Sequence, residues 1–383
     1  MAVVKIKHDQ LEYLTGVHHK AKIPMFVWGA TGIGKSESIA KSARDLAKQH
    51  HREFVEWNKI SRDEKRKIEK NIDKYFILMD IRLSQMDPSD LKGLPGLDGD
   101  VCDWKVPYWL HIITIKGAMG ITFFDEINLA PPSIQAAAYQ LILDRSLGEV
   151  SIVDGVSLIS AGNRVEDKVN VFDLPIPLQN RFTHVTLEPP RITDNPNKGW
   201  TKWALDSGVD SRIVTFLQSR PSLLNQLPKT GSNERAFPTP RSWGKYCSAL
   251  IKDIPTSQLN TLHMLVSCAV GGAAASEFTS FMKFQKKINL EKFLKDPKEV
   301  KKLGTEELDT LYALVGLLDE WYREHHKKTD LDKVFQIADN MNDEFAILML
   351  RFIRNQNKTS FRNKALELKS WDKLSDKYGK YLI

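Results

Sequence analysis

Short apolar runs punctuate the first half of the chain. Ile23-Pro-Met-Phe-Val-Trp28 ends in glycines and is followed over Ser36 to Gln49 by apolar residues at helical spacing, which predicts strand, tight loop, helix. Four more runs read as buried strands: Tyr75-Phe-Ile-Leu-Met-Asp80, Gly120-Ile-Thr-Phe-Phe-Asp125, Val156-Ser-Leu-Ile-Ser160 and His184-Val-Thr-Leu187. Between them, Asn58 to Lys74 is a dense mixed-charge stretch that reads as an exposed helical insertion. Ser84 to Asp103, rich in Asp, Gly and Pro, reads as loops and short turns, and Ala130-Pro-Pro opens a helix over Ser133 to Arg145. Five apolar strands alternating with helices predict a parallel sheet covered on both faces.

Beyond Pro190 the texture turns helical. Trp200 to Gln218 and Arg241 to Ile251 have helical spacing, Pro221 to Pro240 reads as a loop, and Leu262 to Met282 reads as one helix of small and apolar residues. Ile288 to Ile383 alternates charged and apolar helical segments, with no internal repeat. The expected division is an α/β domain over 1–190, a helical domain over 191–283 and a helical C-terminal extension over 284–383.

Composition narrows the class. At 383 residues the chain exceeds one ordinary core. It has 42% hydrophobic and 27% charged residues, without an apolar run near the roughly 20 residues of a membrane span. Met1 to Asp9 lacks the features of a secretory signal, so a cytoplasmic location is expected. Cys102, Cys247 and Cys268 are far apart and read as reduced thiols rather than a disulfide framework or a zinc site. The net charge of +7 comes largely from Lys283 to Lys302 and Lys364 to Lys380, where interspersed acids favour a solvated helical face over a nucleic-acid patch. Adjacent histidines (His18-His19, His50-His51, His325-His326) diverge on a helix and are assigned no metal site.

The candidate chemistry lies at the ends of the strands. Gly29-Ala30-Thr31-Gly32-Ile33-Gly34-Lys35-Ser36 fits G-x-x-x-x-G-K-[ST], in which backbone N–H groups turn inward on phosphates and the following helix adds its positive end. Lys35 suits the β and γ phosphates of ATP, and the Ser36 hydroxyl suits Mg²⁺. Asp125 and Glu126 end the third strand, at the carboxyl edge where parallel sheets bind ligands. Asp125 would hold Mg²⁺ and Glu126 would polarise the attacking water. Asn163, at the tip of the next strand, suits the same water or the γ phosphate. Arg181, in Leu178-Gln-Asn-Arg-Phe182, is a candidate arginine finger, and Arg241, in Pro238-Thr-Pro-Arg-Ser-Trp243, opens a helix from which it could reach a nucleotide.

In that order, GATGIGKS, FFDEINLAPPSIQ, ISAGN, LQNRF and PTPRSW resemble the MoxR branch of AAA+ ATPases, from about Ile23 to about Phe281. The resemblance implies a P-loop AAA+ core followed by a helical lid, Asn163 as sensor one, Arg241 as sensor two on the lid, and Arg181 as a finger acting on the neighbouring subunit's ATP. It implies ATP and Mg²⁺ as ligands, a homo-oligomeric ring, usually a hexamer, and chaperone-like activation of a protein client, often one with a von Willebrand factor A domain. Arg82 to Leu91 is similar to the segment leading toward the central pore, with Asp87 and Asp90 structural, and Gly148 to Gly155 matches the place of a hairpin before sensor one. The chain departs from the pattern in its charged insertion, in Leu129 after DEIN, and in its final hundred residues. The competing expectation is a nucleic-acid translocase or restriction-type motor, against which the lack of interleaved aromatics and arginines counts.

Overall fold

The computed structural model describes residues 3–98, 101–147, 150–164, 167, 172–193, 195–228, 234–303 and 307–382. The chain forms two compact units, Met1–Pro189 and Pro190–Ile383.

The first unit runs β1 (Val4–Ile6), α1 (His8–Ala21), β2 (Met25–Trp28), α2 (Lys35–Gln49), β3 (Glu53–Glu56), α3 (Arg62–Lys70), β4 (Tyr75–Arg82), α4 (Pro88–Lys92), β5 (Leu94–Asp98) and β6 (Val101–Lys105). It continues with α5 (Tyr108–Thr114), β7 (Gly120–Asp125), α6 (Pro132–Asp144), β8 (Ser146–Leu147), β9 (Val150–Ser151), β10 (Val156–Gly162), α7 (Ile176–Gln179) and β11 (Thr183–Leu187). Among the described residues the main sheet has seven strands in the order β1-β11-β2-β10-β7-β4-β3, and every pairing in it is parallel. All residues of β7 and β10 are buried, as the unbroken apolar runs require of strands covered on both faces.

Seven strands rather than five is a correction with a plain cause. The two extra strands are the sheet's edges, three residues of β1 and four of β3, and their polar or exposed alternation (Val-Lys-Ile, Glu-Phe-Val-Glu) hides them from a search for apolar runs. Ser84 to Asp103 also holds more than turns. Asp87 caps α4, its N–H donating to Asp90 Oδ2 at 2.9 Å, and β5 and β6 form an antiparallel hairpin. The charged insertion is helical and exposed over α3, anchored by buried Ile68 and capped by Ser61, which accepts from Glu64 N–H at 3.3 Å. The short hairpin before β10 pairs Ser146 with Ser151; its tip, 148–149, lies outside the described residues.

The second unit is helical: α8 (Gly199–Asp206), α9 (Ser211–Ser219), a π-wound turn (Ser242–Cys247) leading into α10 (Ser248–Ile251), α11 (Leu259–Val270), α12 (Gly272–Gln285) and α13 (Leu290–Lys295). It ends with α14 (Leu308–Glu324), α15 (Lys328–Ala338), α16 (Asp343–Gln356), α17 (Lys358–Ala365) and α18 (Lys369–Leu382). One hydrophobic cluster runs through it from Trp200 to Leu382. The single helix expected over Leu262 to Met282 is two, broken at Gly271, whose φ of +86° an L side chain rarely adopts. A Cβ at Gly271 would sit 2.7 Å from the Ala236 carbonyl oxygen. Part of the Pro221 to Pro240 loop, 229–233, lies outside the described residues. No helix among the described residues is long and apolar enough to cross a membrane.

Candidate nucleotide site

The loop Gly29–Gly34 joins β2 to α2 at the carboxyl edge of the sheet. Gly32 (φ +76°) and Gly34 (φ +98°) occupy left-handed conformations, which is why the turn takes glycine there. A Cβ at Gly29 would lie 2.7 Å from Ile33 Cδ1 and 3.1 Å from the Leu187 carbonyl oxygen, a tight fit, and the Gly29 N–H donates to the Gly162 carbonyl at 3.2 Å. Gly34 is the N-cap of α2, and no side chain caps that helix. A helix N-terminus placed behind such a glycine loop suits an anion.

Lys35 is buried at 8% exposure, and its ammonium donates to the carbonyls of Gly29 (2.6 Å) and Ala30 (3.0 Å) and to Asn163 Oδ1 (3.1 Å). Ser36 Oγ donates to Asp125 Oδ2 at 2.7 Å, and Glu126 N–H donates to Asp125 Oδ1 at 3.0 Å. Asp125, Lys35 and Asn163 are each at least 92% removed from solvent, whereas Glu126 is half-buried. Glu126 also adopts left-handed φ/ψ (55°, 34°), a conformation that costs a non-glycine residue about 1–3 kcal/mol and clusters at functional sites. The structure thus brings together Lys35, Ser36, Asp125 and Asn163, with Glu126 adjoining. A hydroxyl and a carboxylate already paired form a hard oxygen donor set, which fits Mg²⁺.

Three residues of this constellation escape motif reading. Asn128 is 2% exposed and clamps Asn163 at both ends of one residue: its Nδ2 donates to the Asn163 carbonyl (2.7 Å), and its Oδ1 accepts from the Asn163 N–H (3.1 Å). The clamp explains Gly162, where a Cβ would sit 2.5 Å from Asn128 Oδ1. Asn128 stands inside the DEIN string, so the signal was present without an assigned role. Asp80, on β4 beside Phe123 of β7, is the second. Its Oδ1 is buried and has no hydrogen-bond partner among the described residues. Burial, reinforced by the charge of Asp125, raises its pKa above the usual carboxylate value. Asn58 from the start of the charged insertion brackets its backbone, donating to the Asp80 carbonyl (2.8 Å) and accepting from its N–H (2.9 Å). His8, at the first turn of α1, is the third, with Nε2 2.8 Å from the Ile33 carbonyl oxygen.

The two candidate arginines are exposed, Arg181 in the first unit and Arg241 in the second. Arg181 is exposed on the turn between α7 and β11, its N–H bonded to the Leu178 carbonyl at 3.1 Å. The neighbouring Phe182 ring packs edge-on against Phe26 of β2 at 5.3 Å, which fixes the backbone of that turn against the sheet. Arg241 is exposed in the second unit, just ahead of the π-wound turn.

No family model matches the chain, and no curated protein matches it. Among solved structures it is similar to NtrX from Brucella abortus (12% identity over 93% of this chain and 67% of that chain, TM-score 0.31). It is also similar to PCH-2 from C. elegans (12%, 73% and 67%, TM-score 0.29) and to a DNA polymerase III gamma subunit-related protein from Thermotoga maritima (12%, 98% and 99%, TM-score 0.28). Likeness at that level carries no inference about function, which rests on the residues of the site itself.

Proposed function

We propose that the chain is an ATPase of the AAA+ class, close to its MoxR branch, which assembles into a ring and uses ATP hydrolysis to remodel or activate a macromolecular partner, foremost a protein client such as one carrying a von Willebrand factor A domain. The observation that carries the proposal is the convergence of a glycine loop at a helix N-terminus, a buried lysine, and the Ser36–Asp125 pair at one sheet edge. Loop amides and Lys35 bind the triphosphate. Ser36 and Asp125 would hold Mg²⁺, whose charge offsets that on the β and γ phosphates. Glu126 accepts a hydrogen bond from the attacking water and draws its proton as the new P–O bond forms and the γ-phosphorus bond to the bridging oxygen breaks, ADP leaving, while Asn163, held by Asn128, orients the γ phosphate or the water.

In this proposal Arg181 acts on the neighbouring subunit's nucleotide, which accounts for an arginine exposed on an otherwise well-fixed turn. Arg241 contacts nucleotide from a lid formed by 191–283, and 284–383 forms the extension. Mixing an Arg181→Ala protein with a Lys35→Ala protein tests the shared site. Each alone should be inactive, and mixed rings should recover activity; no recovery in demonstrated mixed assemblies would reject the arrangement.

A further inference from the structure

The phosphate loop has a support outside its own motif. Ile33 sits between two glycines at positive φ, Gly32 and Gly34. Its side chain is buried at 1% exposure, whereas the peptide that follows it leads into a glycine. Glycine accepts either sign of φ with little cost, so on the Gly34 side the backbone puts little resistance in the way of this peptide turning over. A trans peptide is planar, with its C=O and N–H directed oppositely. Whatever holds the Ile33 oxygen therefore also fixes the direction of the Gly34 N–H.

His8 is the group that holds it. Its Nε2 lies 2.8 Å from the Ile33 oxygen, and a Cβ built on Gly34 would come within 3.4 Å of the same nitrogen. A carbonyl oxygen only accepts, so the bond requires the proton on Nε2. Burial holds the pKa of His8 below its ordinary value, outweighing the bond to Ile33 and the carboxylates of Glu12 and Asp9, which favours a neutral ring. The ring reaches the loop because α1 packs along α2, and Lys41 of α2 bonds Glu12 of α1 at 2.7 Å.

We propose that His8 is a positioning residue for nucleotide binding: by donating from Nε2 to the Ile33 carbonyl it keeps the Gly34 N–H turned away from α1 and toward the bound phosphates. The inference rests on the ATP-site reading above and adds to it a residue from the first helix, upstream of the glycine motif.

The test compares full-length wild type, His8→Ala and His8→Gln, the glutamine amide being able to place a donor near the position of Nε2. Fluorescent ADP binding should weaken about fivefold in His8→Ala, the effect of one net hydrogen bond. It should return to within about twofold of wild type in His8→Gln on the same basis. Amide exchange across 29–36 in nucleotide-free protein should quicken in the alanine variant and not in the glutamine variant, and the KM for ATP should rise more than kcat falls. Should His8→Ala fail to fold, His8→Leu keeps the bulk and removes the donor. Equal weakening in both variants, or wild-type binding and exchange in His8→Ala, would overturn the proposal. A wild-type protein that binds no nucleotide would instead sink the ATP-site reading, and the exchange comparison would still decide whether His8 orders the loop.

Discussion

Replacing Asn128 should damage the fold and the chemistry together. In Asn128→Leu the Asn163 N–H and C=O lose the partners they have at 3.1 and 2.7 Å, at a residue only 4% exposed. Two buried backbone groups left without partners at about 1.5 kcal/mol each give a destabilisation of about 3 kcal/mol. For the first unit, Met1–Pro189, this corresponds to a fall in Tm of about 6–12 °C. Asn128→Asp should fare no better, because it retains an acceptor for the N–H but sets a second oxygen against the Asn163 carbonyl. Asn163 Oδ1 is also a partner of Lys35, so a shift of its backbone moves an amide to which the proposed reaction gives a role. Displacement by about 1 Å from productive geometry lowers a rate on the order of a hundredfold. Differential scanning fluorimetry and steady-state phosphate release measure the two effects. A Tm within about 2 °C of wild type, less than the loss of even one buried hydrogen bond implies, would refute the clamp.

Two titrating groups make separable predictions. His19 is buried, its Nδ1 3.0 Å from Ser157 Oγ, and burial, aided by His50, pushes its pKa down to about 4. A depressed histidine contributes stability that is present above its unfolded pKa near 6.5 and is lost as pH falls through 4. Urea unfolding should therefore show about 2 kcal/mol more acid-linked loss between those values in wild type than in His19→Gln, a figure discounted for residual solvent screening. A parallel pH profile in the two proteins would exclude this linkage. Asp80 has the opposite sign: its raised folded pKa makes the ionised form unfavourable in the native state. The stability of Asp80→Asn relative to wild type should rise with pH above about 4 and level off below it. A difference independent of pH would show that Asp80 does not carry this strain.

The parts of the site legible in the sequence are those where chemistry fixes residue type and spacing at once. Gly32, Gly34, Lys35, Ser36, Asp125 and Asn163 are such positions, and the structure joins the last four in two hydrogen-bonded pairs, Lys35 with Asn163 and Ser36 with Asp125. Its supporting residues were hidden because their roles are geometric: one asparagine resembles another until Asn128 is seen against Gly162. His8 precedes the loop it supports by a strand and most of a helix. The fold shows the same division. Central strands β7 and β10 announce themselves as unbroken apolar runs, while β1 and β3, exposed along an edge, carry no such run. The hairpin of β5 and β6 was obscured because proline and glycine, which usually mark loops, lie within paired strands.

The central claim is that Lys35, Ser36, Asp125 and Glu126 form one site for Mg·ATP in which Glu126 acts on water. Glu126→Gln keeps the side chain's shape and removes its capacity to take a proton, so ATP binding and hydrolysis measured on the same preparation should separate. The account predicts wild-type affinity for ATP, loss of binding in a parallel Lys35→Ala protein, and turnover in Glu126→Gln reduced by about a hundredfold or more. Undiminished turnover in Glu126→Gln, with ATP bound, would contradict it.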